Sequence, residues 1–126
     1  MRIWCTEDTD TEVIINGGTF NGSIDFQNVS AKPNKGTLTI NGGTFNPDTY
    51  TKAAVRLLGF GVDVDEMNGY IKGGTFNGAV KLNKYASGEF NSQVFFVSGG
   101  KFKLDPSSFL AEGYTSTLEG DYYVVK

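Results

Sequence analysis

One hexapeptide is written four times in this chain, and nothing else in the sequence restricts its fold as much. It reads Ile-Asn-Gly-Gly-Thr-Phe at 15–20 and 40–45, Ile-Lys-Gly-Gly-Thr-Phe at 71–76, and Val-Ser-Gly-Gly-Lys-Phe at 97–102. The closing phenylalanines, Phe20, Phe45, Phe76 and Phe102, are separated by 25, 31 and 26 residues. A second track keeps step with the first: Arg-Ile-Trp-Cys (2–5), Ser-Ile-Asp-Phe (23–26), Ala-Val-Arg-Leu (54–57) and Ala-Val-Lys-Leu (79–82). Repeats at periods of roughly 20–50 residues signal solenoids or arrays. Two tracks that lengthen and shorten together mark one unit, repeated, with loops of different length spliced in.

Within each unit the apolar residues alternate, the period of a strand with one face turned inward. Aligning the units predicts inward columns: Ile15, Ile40, Ile71, Val97; Phe20, Phe45, Phe76, Phe102; Ile3, Ile24, Val55, Val80; and Cys5, Phe26, Leu57, Leu82. Val13, Leu38 and Phe95 nearly complete another, with Gly69 as its gap. A single unit cannot bury such an edge, whereas stacked units can, and parallel crossovers strongly favour right-handed winding. The expected fold is therefore all-β: a right-handed parallel β-helix of about four coils (2–22, 23–53, 54–78, 79–104) in one domain, 1–126, closed by a cap at 105–126. The paired glycines read as the corner before each inward Phe. They do not read as a phosphate loop, which needs a Lys and a following helix. Asn21, Asn46 and Asn77 suit turns and side-chain ladders between coils.

The cap is expected as a short helix over 105–113, with Asp105 as N-cap, Pro106 at the first position and Gly113 as the stop. A hairpin turning at Glu119–Gly120 follows. The N-terminus offers only Arg-Ile-Trp-Cys and an acidic stretch before the first motif, which leaves a strand edge and Trp4 to meet upstream coils, another subunit or another protein.

Taken together, "VIINGGTFNG", "LTINGGTF" and "VSGGKFKLDPSSFLAEGYTSTLEGDYYVV" resemble the GGTF-type β-helix repeat regions of surface proteins from Gram-positive gut bacteria. That resemblance covers nearly the whole chain. It implies a pectate-lyase-like β-helix in an extracellular, adhesive or structural setting. The chain lacks the apolar run of a signal peptide at its start. The expected location is extracellular or cell-surface, as part of a larger protein, or in a phage virion.

Chemistry is sparse. A net charge of −3 gives no electrostatic footprint for nucleic acid. No stretch reaches the length of a membrane helix. The absence of histidine removes Ser-His-Asp triads, Cys-His dyads and histidine-ligated zinc. The lone Cys5 falls in an inward column and reads as a packed thiol. Expected outward columns are Trp4, Asp25, Arg56, Lys81, then Ile14, Thr39, Tyr70, Phe96, then Asn16, Asn41, Lys72, Ser98. None sets two carboxylates on neighbouring coils, as acid–base hydrolysis requires. Asp25 beside Arg56 reads as a cross-coil ion pair. The acidic clusters at 6–12 and 63–68 lack the spacing of a calcium loop and read as solvated turn acids. No catalytic, cofactor or metal residue is assigned. The candidate contacts are Trp4, Tyr70 and Phe96, with Tyr50, Phe60 and Tyr85 as further loop aromatics. Aromatics outside a core are either covered by loops or used to anchor a protein or stack on a sugar. The expected role is a non-enzymatic module for display, adhesion or assembly. A carbohydrate-binding or degenerate lyase-like domain is the alternative.

Overall fold

The computed structural model describes residues 1–5, 10–28, 35–59, 67–84 and 94–126. Among these the chain is all-β and contains no α-helix. In chain order the strands are β1 (Arg2–Cys5), β2 (Thr11–Ile15), β3 (Thr19–Asn21), β4 (Ile24–Asn28), β5 (Gly36–Ile40), β6 (Thr44–Asn46) and β7 (Ala53–Gly59). They continue as β8 (Met67–Ile71), β9 (Thr75–Phe76), β10 (Ala79–Lys84), β11 (Phe95–Val97), β12 (Lys101–Phe102), β13 (Ser116–Glu119) and β14 (Tyr122–Val125).

Three sheets result, and every third strand is a neighbour. The first runs β1-β4-β7-β10 and the second β2-β5-β8-β11, each parallel throughout. The third is mixed: β3-β6-β9-β12 are parallel, and β14 and β13 continue it antiparallel. Buried side chains from all three sheets meet in one core. Each repeat therefore supplies three strands rather than two, because the Gly-Gly pair divides β2 from β3 and its counterparts likewise.

The two glycines of each pair answer to different constraints. The second adopts left-handed φ, as at Gly43 (112°) and Gly74 (110°), a turn that a Cβ would strain. The first lies against the neighbouring repeat. A Cβ on Gly42 would sit 2.9 Å from the Asn16 carbonyl oxygen, and one on Gly73 only 2.5 Å from that of Asn41. A corner of this kind fits the sequence reading, with turn conformation and close approach divided between two adjacent positions.

Register follows the expected columns across most of the chain. Ile15, Ile40, Ile71 and Val97 align, as do Phe20, Phe45, Phe76 and Phe102. The phenylalanine rings stack nearly parallel at 5.1, 4.7 and 4.7 Å. At the gap in the Val13 column, the Phe95 ring occupies the room that Gly69 leaves; a Cβ there would come within 2.5 Å of it. Leu82 occupies its expected column, yet it remains 36% exposed, because among the described residues no strand lies beyond β10.

β1 departs from expectation. Ile3 pairs with Phe26, not Ile24, and Trp4 pairs with Gln27, not Asp25. The residue beside Asp25 is Arg2. A shift of two residues keeps every side chain on its own face, so alternation cannot detect it. The observed register sets Arg2 beside the Asp25 carboxylate at 3.9 Å, and in it the Met1 carbonyl accepts from the Asp25 N–H while the Met1 ammonium donates to the Ser23 carbonyl.

The cap also differs. In place of a helix over 105–113 there is one 3-10 turn, Ser107–Phe109, without a side-chain cap. The Asp105 carboxylate instead accepts from the Ser107 N–H, the Ser107 hydroxyl and the Ser116 hydroxyl, fastening the turn to the hairpin. The hairpin forms as expected, with Glu119 opposite Tyr122 and Gly120 at left-handed φ. β14 pairs with β12 and covers the edge of the third sheet. Leu110 bridges to Val97 and Phe109 meets Phe95 edge-on at 5.7 Å, which covers the second sheet.

Candidate interaction surfaces

Three outward-facing regions carry polar or aromatic chemistry. On the first sheet, Asp25 is buried and accepts two hydrogen bonds from the Arg56 guanidinium, Nε at 2.6 Å and Nη2 at 3.1 Å. The Ser23 hydroxyl donates to the same carboxylate. Burial by itself would raise the Asp25 carboxyl. The hydrogen bonds from Arg56 and Ser23, with the charges of Arg56 and Arg2, outweigh burial and hold it below the usual carboxylate range. The ion pair expected from the sequence is present, and its carboxylate is buried. Lys81, next in the column, donates to the Thr51 carbonyl.

Trp4 is half exposed on β1, and the Arg2 guanidinium lies 5.5 Å from its ring. Beside it in register, Gln27 is buried, and its side-chain carbonyl has no hydrogen-bond partner among the described residues. Cys5 is wholly buried, and burial pushes its thiol up to about 11, so the sulfur is packed and unreactive.

The outer face of the second sheet carries the aligned column Ile14, Thr39, Tyr70, Phe96. Tyr70 and Phe96 stack at 5.3 Å, Tyr70 at the boundary of exposure and Phe96 half-buried. To one side lie Asn16, Asn41 and Lys72, with the Asn41 amide donating to Asn16 at 2.8 Å. To the other lie Glu12, Thr37 and Asn68, which help line a shallow groove of about 490 Å³ with Asp10 and Lys35. The structure thus places Tyr70 and Phe96 together, with Trp4 on a different sheet. Tyr50 is almost fully exposed; Phe60, Tyr85 and most of both acidic clusters lie outside the described residues. Among the described residues no group of acids and cysteine is gathered as a metal site would require.

A feature the sequence only hinted at is the polarity of the asparagine ladder. The Asn46 amide donates to Asn21 at 2.7 Å, the Asn77 amide donates to Asn46 at 2.8 Å, and the Tyr122 hydroxyl donates to Asn77 at 2.9 Å. The asparagine column was visible in the repeat; Tyr122 as its terminus was not, because it arrives through the hairpin.

At one end of the molecule β1, β2 and β3 are all edge strands with no outer neighbour among the described residues. At the other, the turn and hairpin cover two of the three sheets. Comparison with family models, curated proteins and solved structures found no match.

Proposed function

We propose that this chain is a non-enzymatic structural module, a right-handed parallel β-helix of about four coils used for display, adhesion or assembly. The observation that carries the reading is its one-sided closure: the C-terminal end is covered over two sheets, and the N-terminal end offers three strand edges together. Proteins ordinarily blunt such edges, because unpaired N–H and C=O groups template pairing with another chain. Trp4, half exposed on the outermost strand, adds an aromatic anchor of the kind enriched at interfaces. The resemblance of the repeats implies a surface-protein setting, a virion is the other expected location, and a rigid stack suits either.

Sedimentation velocity over a wide concentration range tests the reading. Self-association through this end is expected to weaken in Trp4→Ala. A chain that stays monomeric, and whose β1–β3 amide signals ignore any added protein strand, overturns it.

A second reading has its own observation. The stacked Tyr70–Phe96 pair, flanked by asparagines, Lys72 and Glu12, has the mixture of aromatic surface and hydrogen-bonding groups that takes a sugar ring. Glycan-array binding that disappears in Tyr70→Ala or Phe96→Ala supports a carbohydrate-binding domain. Silence across plant, host and bacterial glycans counts against it.

A further inference from the structure

The open end carries a directional pattern that specifies what kind of strand it accepts. Hydrogen bonds between repeats all donate toward the N-terminal end at the Gly-Gly corner. The N–H groups of Asn41, Lys72 and Ser98 go to the carbonyls of Ile15, Ile40 and Ile71. Those of Thr44, Thr75 and Lys101 go to Gly18, Gly43 and Gly74. Both asparagine ladders run the same way, Asn41 to Asn16 and Asn77 to Asn46 to Asn21. The same geometry aims the Asn16 and Thr19 N–H groups out of the open edge. The Nδ2 groups of Asn16 and Asn21, whose oxygens are already engaged, have no acceptor among the described residues. This face of the corner is therefore made of donors.

Gly17 is an independent observation. At the first-glycine position, a Cβ on Gly42 or Gly73 would meet a backbone carbonyl of the repeat before it, and a Cβ on Gly99 would run into the Lys72 carbonyl. A Cβ on Gly17 would meet nothing within 4 Å among the described residues, and Gly17 does not adopt left-handed φ. Among the described residues nothing requires glycine there. A carbonyl of an added strand in the same register would.

Building on the reading of the open end as an assembly site, we propose that it docks a parallel strand of this chain's own repeat type. Such a strand lays its asparagine carbonyl over Gly17 and presents side-chain oxygens to Asn16 and Asn21. A second copy meeting the same end by a two-fold axis runs antiparallel and sets donors against donors, leaving those amides unmatched. An Asn-Gly-Gly-Thr-Phe-Asn strand matches every one of them and is recognised by strand addition, with backbone bonds giving affinity and side chains giving register.

The probe is a capped peptide of residues 36–46, Gly-Thr-Leu-Thr-Ile-Asn-Gly-Gly-Thr-Phe-Asn, titrated into the full chain by amide NMR. Saturable shifts confined to Thr11–Asn21 are expected. Gly17→Ala is expected to leave the thermal midpoint unchanged and to weaken peptide binding about tenfold or more by blocking the carbonyl. Gly73→Ala, where the same atom meets Asn41, lowers the midpoint instead. A peptide carrying Asn41→Ala and Asn46→Ala is expected to bind comparably weakly. Equal binding by Gly17→Ala and by the alanine peptide overturns the proposal. So does a chain that dimerises through this end yet ignores the peptide, an outcome that leaves the assembly reading standing. A chain that neither dimerises nor binds peptide overturns both.

Discussion

Phe76→Ala is expected to destabilise the fold by about 3–5 kcal/mol, the cost typical of deleting a buried aromatic ring. Phe76 is fully buried and stacks on Phe45 at one face and Phe102 at the other, both at 4.7 Å. Its loss opens a cavity between repeats that cannot collapse, because the spacing of the repeats is fixed by backbone hydrogen bonds on every side. Aromatic pairs add about 0.5–1.5 kcal/mol each beyond burial, and two such pairs disappear together. Phe20→Ala serves as the comparison. Phe20 stands at the end of the same column, half-buried, with a single stacking partner among the described residues. Chemical denaturation of both variants is expected to give the larger loss at Phe76. Equal losses would mean that the column does not act as a stack.

Asp25→Ala carries the second large effect, about 3–5 kcal/mol, characteristic of breaking a buried ion pair from one side. The alanine variant leaves the Arg56 guanidinium without its bidentate acceptor and the Ser23 hydroxyl without its partner. It also removes the carboxylate that lies 3.9 Å from the Arg2 guanidinium on β1. The effect has a pH signature. The Asp25 carboxyl is lowered in the folded state, so its contribution is fully present above the unfolded value of about 3.9 and is lost as pH falls through the folded value. Wild type is therefore expected to lose stability on acidification below about pH 4, and Asp25→Ala to lose less over the same range. Asp48 and Asp105 are likewise lowered, Asp48 foremost by the Thr51 backbone N–H and Asp105 foremost by the Ser107 hydroxyl, so part of the acid sensitivity remains in the variant. Identical acid profiles for the two proteins would remove Asp25 from this account.

Much of this architecture was legible because repetition converts sequence into register. Once Phe20, Phe45, Phe76 and Phe102 are aligned, the columns around them follow, and the second-sheet and third-sheet pairings agree with them residue by residue. The Tyr70–Phe96 surface was legible for the same reason, since each lies one residue before a core position. β1 was not legible to the same degree. It has a single neighbouring strand to fix it, and a two-residue slip preserves inside and outside alike. The 3-10 turn was missed because Asp-Pro-Ser-Ser satisfies the local rules for starting a helix. Here the Asp105 carboxylate reaches Ser116, eleven residues away, and Leu110 joins Val97.

What the sequence determined alone is the unit and its stacking order: alternation sets which side chains face inward, and the Gly-Gly pair sets where the chain bends. Both are local properties, readable within six residues. The tertiary structure decided what depends on neighbours distant in the chain. It buried Asp25 between Arg56 and Ser23, gave the Asn21–Asn46–Asn77 ladder a direction that starts at the Tyr122 hydroxyl, and left Gly17, among the described residues, without the close contact its counterparts make. Burial, hydrogen-bond polarity and close approach are relations between repeats, and no single repeat contains them.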